Sequence, residues 1–386
     1  MIRCIYPLDQ LRHLDIIKRA KRWGKNKLID PDQLKKIRQR YAASLYHPNL
    51  IIRLLLFIAT LLALSGVTGV LGLMVLELSD EEVFIGFSCL AYGAASLIVL
   101  EQVFFKRNRH YKSGVTEGLM YHAIGFLVMG VALLSNAHVE LTLISALGIL
   151  LFTTLRYVDL LSCLCAMGCV VGLAFYEAER MDMVPLLPFF LILTFGILAF
   201  FLSRFRITHD REHLDPIVSV AKFSAWCMIY VSCNYYVVRE LSIALMELSL
   251  DPGADIPFAL VFYGLTVLVP VAYVFFGIRH KDILLLRVSL LTMAMTAFTF
   301  NYYFGFKDVE IAATLAGFVA IALSVVLIRY LKTAHGGFTS ESGFATPWLD
   351  ENAQAFGVSQ TLGGNQQPAS PSGGGTFGGG GASGEY

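Results

Sequence analysis

The sequence predicts an all-α polytopic membrane protein, a bundle of about ten transmembrane helices, and three observations predict it. Of the 386 residues, 56% are hydrophobic and only 15% charged, whereas soluble domains run at about 45–50% apolar and about 25% charged. Mean hydropathy is +0.63. Apolar stretches near the roughly 20 residues needed to cross about 30 Å of hydrocarbon recur along the chain. This balance excludes a soluble enzyme, a nucleic-acid-binding module and a disordered chain. The lipid bilayer is the expected partner, and no nucleic acid is.

Residues 1–50 read as a basic helical hairpin. Asp9 can cap a helix carrying Leu11, Leu14, Ile17 and Trp23, with Gly24 as its stop. Asp30-Pro31-Asp32-Gln33 supplies an N-cap, a proline at the first helical position and a glutamine at the capping-box position. Leu34, Ile37, Tyr41 and Leu45 follow on one face. Lys18, Arg19, Lys21, Arg22, Lys25, Lys27, Lys35, Lys36, Arg38 and Arg40 surround these stripes. Two readings stand: the hairpin rests on anionic lipid headgroups, or its charge serves topology while its apolar faces pack on each other.

Residues 51–332 hold the ten spans. They run approximately Leu54–Leu76, Val83–Phe105, Gly118–Leu134, Val139–Leu155, Leu160–Tyr176, Val184–Leu202, Phe223–Val238, Pro257–Gly277, Ile283–Phe304 and Ile311–Tyr330. Only Arg156, Tyr157, Val158 and Asp159 divide the fourth from the fifth, but the apolar region they interrupt is far too long for one crossing. Small residues spaced by four, Ser65 with Gly69, Thr68 with Gly72 and Ala313 with Gly317, offer close helix approach.

Charge placement tests the count, because Lys and Arg accumulate in cytoplasmic loops. With a cytoplasmic N-terminus, 27 of the 30 basic residues fall inside, and only Arg180, Arg239 and Lys307 fall outside. Both termini are therefore expected in the cytoplasm. The first 50 residues lack the apolar core of a secretory signal, so the first span would serve as the insertion signal. The seven cysteines lie in the N-terminal segment or in spans, which argues against structural disulfides. Cys165 and Cys169 stand one turn apart without further metal ligands near them.

Residues 333–386 change composition abruptly: 14 of the 54 are glycine. Such a segment cannot bury enough apolar area to offset the entropy of ordering, and disorder is expected. Phe338, Phe344, Trp348, Leu349, Phe356 and Phe377 are spaced through it, and the chain finishes at Tyr386. A partner protein recognising this tail, through Phe377 and Tyr386, competes with a tolerated low-complexity spacer.

The ending, Gly-Gly-Gly-Thr-Phe-Gly-Gly-Gly-Gly-Ala-Ser-Gly-Glu-Tyr at 373–386, resembles the glycine-rich C-terminus of bacterial membrane proteins of the TPM-domain type, although this chain shows no TPM domain. Trp23, Lys27-Leu28-Ile29, Gln33, Ile37 and Tyr41, placed ahead of an apolar array, resemble the N-terminal segment of a bacterial family of predicted multi-pass membrane proteins of unknown function. Together the resemblances imply a bacterial inner membrane protein. They bring no reaction and no catalytic residues.

Ionisable side chains at membrane depth cost several kcal/mol unless they pair, snorkel or meet water. Glu101, Glu117, His122, Arg156, Asp159 and Arg287 all map toward the cytoplasmic leaflet. Arg287 lies six residues past Lys281, about 9 Å along a helix. It either pairs with Glu101, Glu117 or Asp159 in a polar cavity, or snorkels. Two spans end alike, Asn234-Tyr235-Tyr236 and Asn301-Tyr302-Tyr303; an aromatic belt explains the tyrosines, and Asn234 facing Asn301 across an external vestibule is the alternative. His209-Asp210-Arg211-Glu212-His213 matches the inverted zinc-protease pattern, but it sits in a short connection with no soluble domain to supply a third ligand, and reads as a charged loop. No catalytic, cofactor-binding or metal-ligating set is predicted. The function expected is that of a non-enzymatic membrane scaffold or assembly partner, recruiting another protein through its tail; the alternative is a small-solute or ion transporter built around Arg287.

Overall fold

The computed structural model describes residues 4–25, 28–42, 44–79, 81–205, 209–246, 255–256, 258–304, 325 and 329. Most of the expected tenth span, 311–330, and the whole tail with Phe377 and Tyr386 lie outside the described residues. The helices are α1 (Leu8–Lys25), α2 (Pro31–Arg40), α3 (Leu50–Leu78), α4 (Glu82–Val99), α5 (Val115–Leu134), α6 (Val139–Tyr157), α7 (Leu160–Arg180), α8 (Leu187–Arg204), α9 (Asp215–Cys233), α10 (Tyr235–Met246), α11 (Ala259–His280) and α12 (Ile283–Phe304). Among the described residues, nine helices are long and apolar enough to cross a membrane: α3 to α9, α11 and α12.

The apolar run split at Arg156–Asp159 is two helices, α6 and α7. Val158 turns the corner in the left-handed region at φ 56°, and the Asp159 carboxylate caps α7 by accepting from Ser162 N at 2.7 Å. A buried β-branched residue in that region is strained, and the cap with its packing holds it. The seventh span is displaced from its expected place. It starts at Glu212 and ends at Cys233, because Asp215-Pro216 open α9 with an acidic first turn and an early proline. At its other end Asn234 leaves helical geometry at ψ 122°.

Helices pair as antiparallel hairpins, α4 with α5, α6 with α7, α8 with α9 and α11 with α12. In the first half α5 is central, touching α3, α4 and α6; in the second, α9 is central, touching α7, α8, α11 and α12. The end carrying α1 is called the base. Outward faces are apolar, with Leu62, Leu73, Leu193, Phe201, Leu260 and Leu290 among the exposed side chains, as lipid-facing surface requires.

Close helix approach uses different glycines from those expected. A Cβ on Gly69 or Gly72 would meet nothing within 4 Å, while one on Gly130 of α5 would lie 2.8 Å from Leu90 Cγ and 2.9 Å from the Gly86 carbonyl. Gly86 and Gly93 present the same intimacy from α4, against Leu134 and Leu127. The α3 pairs miss because no residue of α3 is buried.

Candidate functional site: the polar junction at the base

The base is assembled from four short pieces of chain that the helices bring together. Ile5 N donates to the Arg156 carbonyl at 3.0 Å, which seats Tyr6 in the core, 6% exposed, edge-on to Phe105 and Tyr111 at centroid distances of 5.1 and 5.0 Å. The strand-like residue Tyr46 donates to the Arg109 carbonyl and accepts from Tyr111 N, at 3.1 and 3.0 Å. Arg109 Nη1 donates to Ser44 Oγ at 2.9 Å, and Ser44 N donates to Gln10 Oε1 at 2.9 Å. Thus α1, the 44–47 segment and the 108–114 loop form one unit.

Three carboxylates sit within it, each held inside the chain. Glu101 accepts from Arg156 Nε and Nη2, both at 2.9 Å, and from Tyr157 OH at 3.1 Å, a bidentate geometry of the strong kind. It projects from a π-helical continuation of α4, Leu100–Arg107, whose wider turn sets its direction. Glu117 pairs with Arg53 at 2.7 Å and accepts from Gly114 N at 2.7 Å and Thr116 Oγ1 at 2.9 Å. Asp159 accepts from Tyr121 OH at 3.0 and 3.1 Å besides capping α7.

Glu117 and Asp159 both line a void of about 10 Å³, together with Tyr157 and Lys112, close to the lower limit for one water. Lys112 is half-buried, with its ammonium 5.6 Å from the centre of the Tyr111 ring. Burial, then Arg53 and Lys18, push its ammonium below the usual range, while Asp159 and Glu117 pull it up. Burial drives the His47 imidazole down, with Lys18 adding to the effect, and burial pushes the Tyr111 phenol up to about 12.

The expected polar set is therefore split. Glu101 and Arg156 are joined, and Glu117 and Asp159 share a void. His122 stands apart between α4 and α5, its Nε2 3.3 Å from Tyr92 OH. Arg287 is exposed on α12, and none of the ion pairs among the described residues includes it. Sequence reasoning passed over Arg53, Lys112, Tyr6, Tyr111, Tyr121 and Tyr157. Gly114 followed three residues later by Glu117 was the one local hint, a capping pattern; the tyrosine donors carry no spacing signal because their carboxylates lie on other helices.

At the opposite end, Asn234 is wholly buried. Its Nδ2 donates to Tyr230 OH and Thr299 Oγ1, both at 2.9 Å, and its Oδ1 accepts from Thr299 Oγ1 at 3.1 Å and from Val237 N at 3.3 Å. Tyr230 OH meets Thr296 Oγ1 at 2.7 Å, and Tyr235 N donates to Thr266 Oγ1 at 2.9 Å. The two Asn-Tyr-Tyr segments do meet, through Tyr235 against Tyr303 and Tyr236 against Tyr302, while the asparagines make no bond to each other. The Asn301 Oδ1 is buried without a hydrogen-bond partner among the described residues. Thr292, Thr296 and Thr299 recur at helical spacing on α12 and were a legible sign of a polar stripe.

In the His209–His213 segment, a 3-10 turn, Glu212 lies 4.0 Å from Arg12. No group of three metal-ligating side chains occurs among the described residues. All seven cysteines are free thiols.

No family model matches this chain, and no curated protein or solved structure does. Fold and composition define the class: a multi-pass, all-helical membrane protein.

Proposed function

We propose that this chain is a non-enzymatic scaffold or assembly protein of the bacterial inner membrane, with both termini in the cytoplasm, that recruits a partner protein through residues 373–386. The base then faces the cytoplasm, in keeping with the bias of basic residues toward that side. The observation that carries the reading is the allocation of charge at the base. Glu101, Glu117 and Asp159 are each occupied by a donor from the same chain, in bonds that fasten helices together, and among the described residues none of the three is ion-paired with Arg287. Such an arrangement supports a rigid platform on which α1 and α2 are displayed.

The test is photo-crosslinking in membranes with a reactive residue at Phe377, comparing the full chain with one lacking 373–386. A discrete adduct from the full chain, lost on truncation of the tail, is expected. An identical partner profile in the two would end the tail hypothesis. Uptake or efflux by proteoliposomes that disappears in Arg287→Ala would replace the scaffold with the transporter.

A further inference from the structure

A cleft of about 410 Å³ opens between α1 and the base of the bundle. It lies where spans end: Val158 joins α6 to α7, Pro216 opens α9, and Tyr111 and Lys112 connect α4 to α5. Its position is therefore headgroup depth, whichever way the protein is oriented. One wall is apolar, made by Leu8, Leu11 and Leu14 of α1 opposite Val158.

The polar wall carries four cations, Arg12, Lys18, Arg19 and Lys112, against three carboxylates, Asp15, Glu212 and Asp215. Arg19 is taken by Asp15 at 2.7 Å and Arg12 by Glu212 at 4.0 Å. Asp215 belongs to the first turn of α9, whose amides favour an anion there. The carboxylates behind Lys112, Glu117 and Asp159, are engaged by Arg53, Tyr121 and backbone amides. Lys18 and Lys112 are thus the two cations in the cleft that form no ion pair among the described residues. Their mutual repulsion, with that of Arg53, contributes to lowering the Lys112 ammonium, and a bound anion would relieve it.

We propose that this cleft binds the headgroup phosphate of an anionic phospholipid, Lys18 and Lys112 meeting the phosphate while Leu8 and Leu11 lie against the glycerol and first acyl carbons. An amphiphile fits both walls; a free phosphate would use only one. The site needs the chain to sit in a bilayer and is independent of the tail and its partner.

The full-length protein, delipidated in non-ionic detergent, is titrated with dioleoyl phosphatidylglycerol, with dioleoyl phosphatidylcholine and with inorganic phosphate, and retained lipid is counted by native mass spectrometry alongside thermal unfolding. Retention of one phosphatidylglycerol is expected, weakened about fivefold for each lysine removed in Lys18→Gln and Lys112→Gln. Lys35→Gln/Lys36→Gln, on the exposed face of α2, should bind as the unaltered protein does. Should Lys112→Gln fail to fold, Lys18→Gln alone carries the test. Equal retention of phosphatidylcholine, unchanged binding by Lys18→Gln, or equal stabilisation by inorganic phosphate would each overturn the assignment to a lipid.

Discussion

At Gly114 the backbone turns at φ +89°, and an added Cβ would stand 2.0 Å from the Arg53 carbonyl and 2.9 Å from Phe57 N. Neither backbone atom can move without unseating the start of α3. Gly114→Ala is therefore expected to destabilise by well over about 1 kcal/mol, seen as a lowered unfolding temperature in detergent; an unchanged midpoint would mean the loop relaxes freely. At Glu101 the bidentate arginine and the Tyr157 hydroxyl act on one carboxylate. Glu101→Gln and Arg156→Gln should each cost stability, and the double variant less than their sum, with a coupling of about 1–3 kcal/mol in a thermodynamic cycle. Additive losses would show that the pair is merely adjacent.

Among the elements, the α9–α10 break is held by side chains rather than by a turn. Asn234 satisfies itself on α9 and α12 and also caps α10 through Val237 N. Asn234→Ala takes one partner from each of the Tyr230 and Thr299 hydroxyls, which keep Thr296 and the Met295 carbonyl, with an expected cost of about 1 kcal/mol, within the modest range of hydrogen bonds in membranes. Thr299→Val in the Asn234→Ala background should add little, because its partner across the helix interface is already gone and only the Met295 carbonyl of its own helix is left; an equal second loss would break the network apart. For the α4–α5 hairpin, Gly130→Val places methyl groups where Leu90 and the Gly86 carbonyl already lie. Cysteine crosslinking between the two helices is expected to fall in that variant and to persist in Gly69→Val on α3, whose Cβ meets open space.

For the whole molecule, the base supplies an alkaline limit. Tyr111 is raised from 10.0 to about 12 and Tyr6 is raised too, both chiefly by burial. A phenol raised in the folded state stabilises fully below its unfolded value and loses that contribution as pH climbs from about 10 toward about 12, by up to about 2 kcal/mol for Tyr111. Thermal unfolding should weaken across that window in the unaltered protein and more gently in Tyr111→Phe; parallel curves would place the loss elsewhere. In sequence terms, the base was only half legible. Glu101, Glu117, Arg156 and Asp159 could be singled out because charge in an apolar array is conspicuous, whereas Arg53 looked like one more topogenic cation and Tyr121 like one more aromatic. Asn234 and Asn301 were visible as a repeated ending, yet Asn234 joined a threonine stripe instead of the other asparagine.

The amino-acid order by itself determined the membrane class and nearly every span, because crossing hydrocarbon imposes a length and an apolarity that each segment must meet alone. It also marked the division at Asp159, where a local cap sufficed. Only the tertiary structure decided which carboxylate met which cation, which glycines touched a neighbouring helix and where a cleft opened beside α1. Those outcomes depend on the rotation of one helix against another, and rotation is set by packing between segments that are distant in the chain.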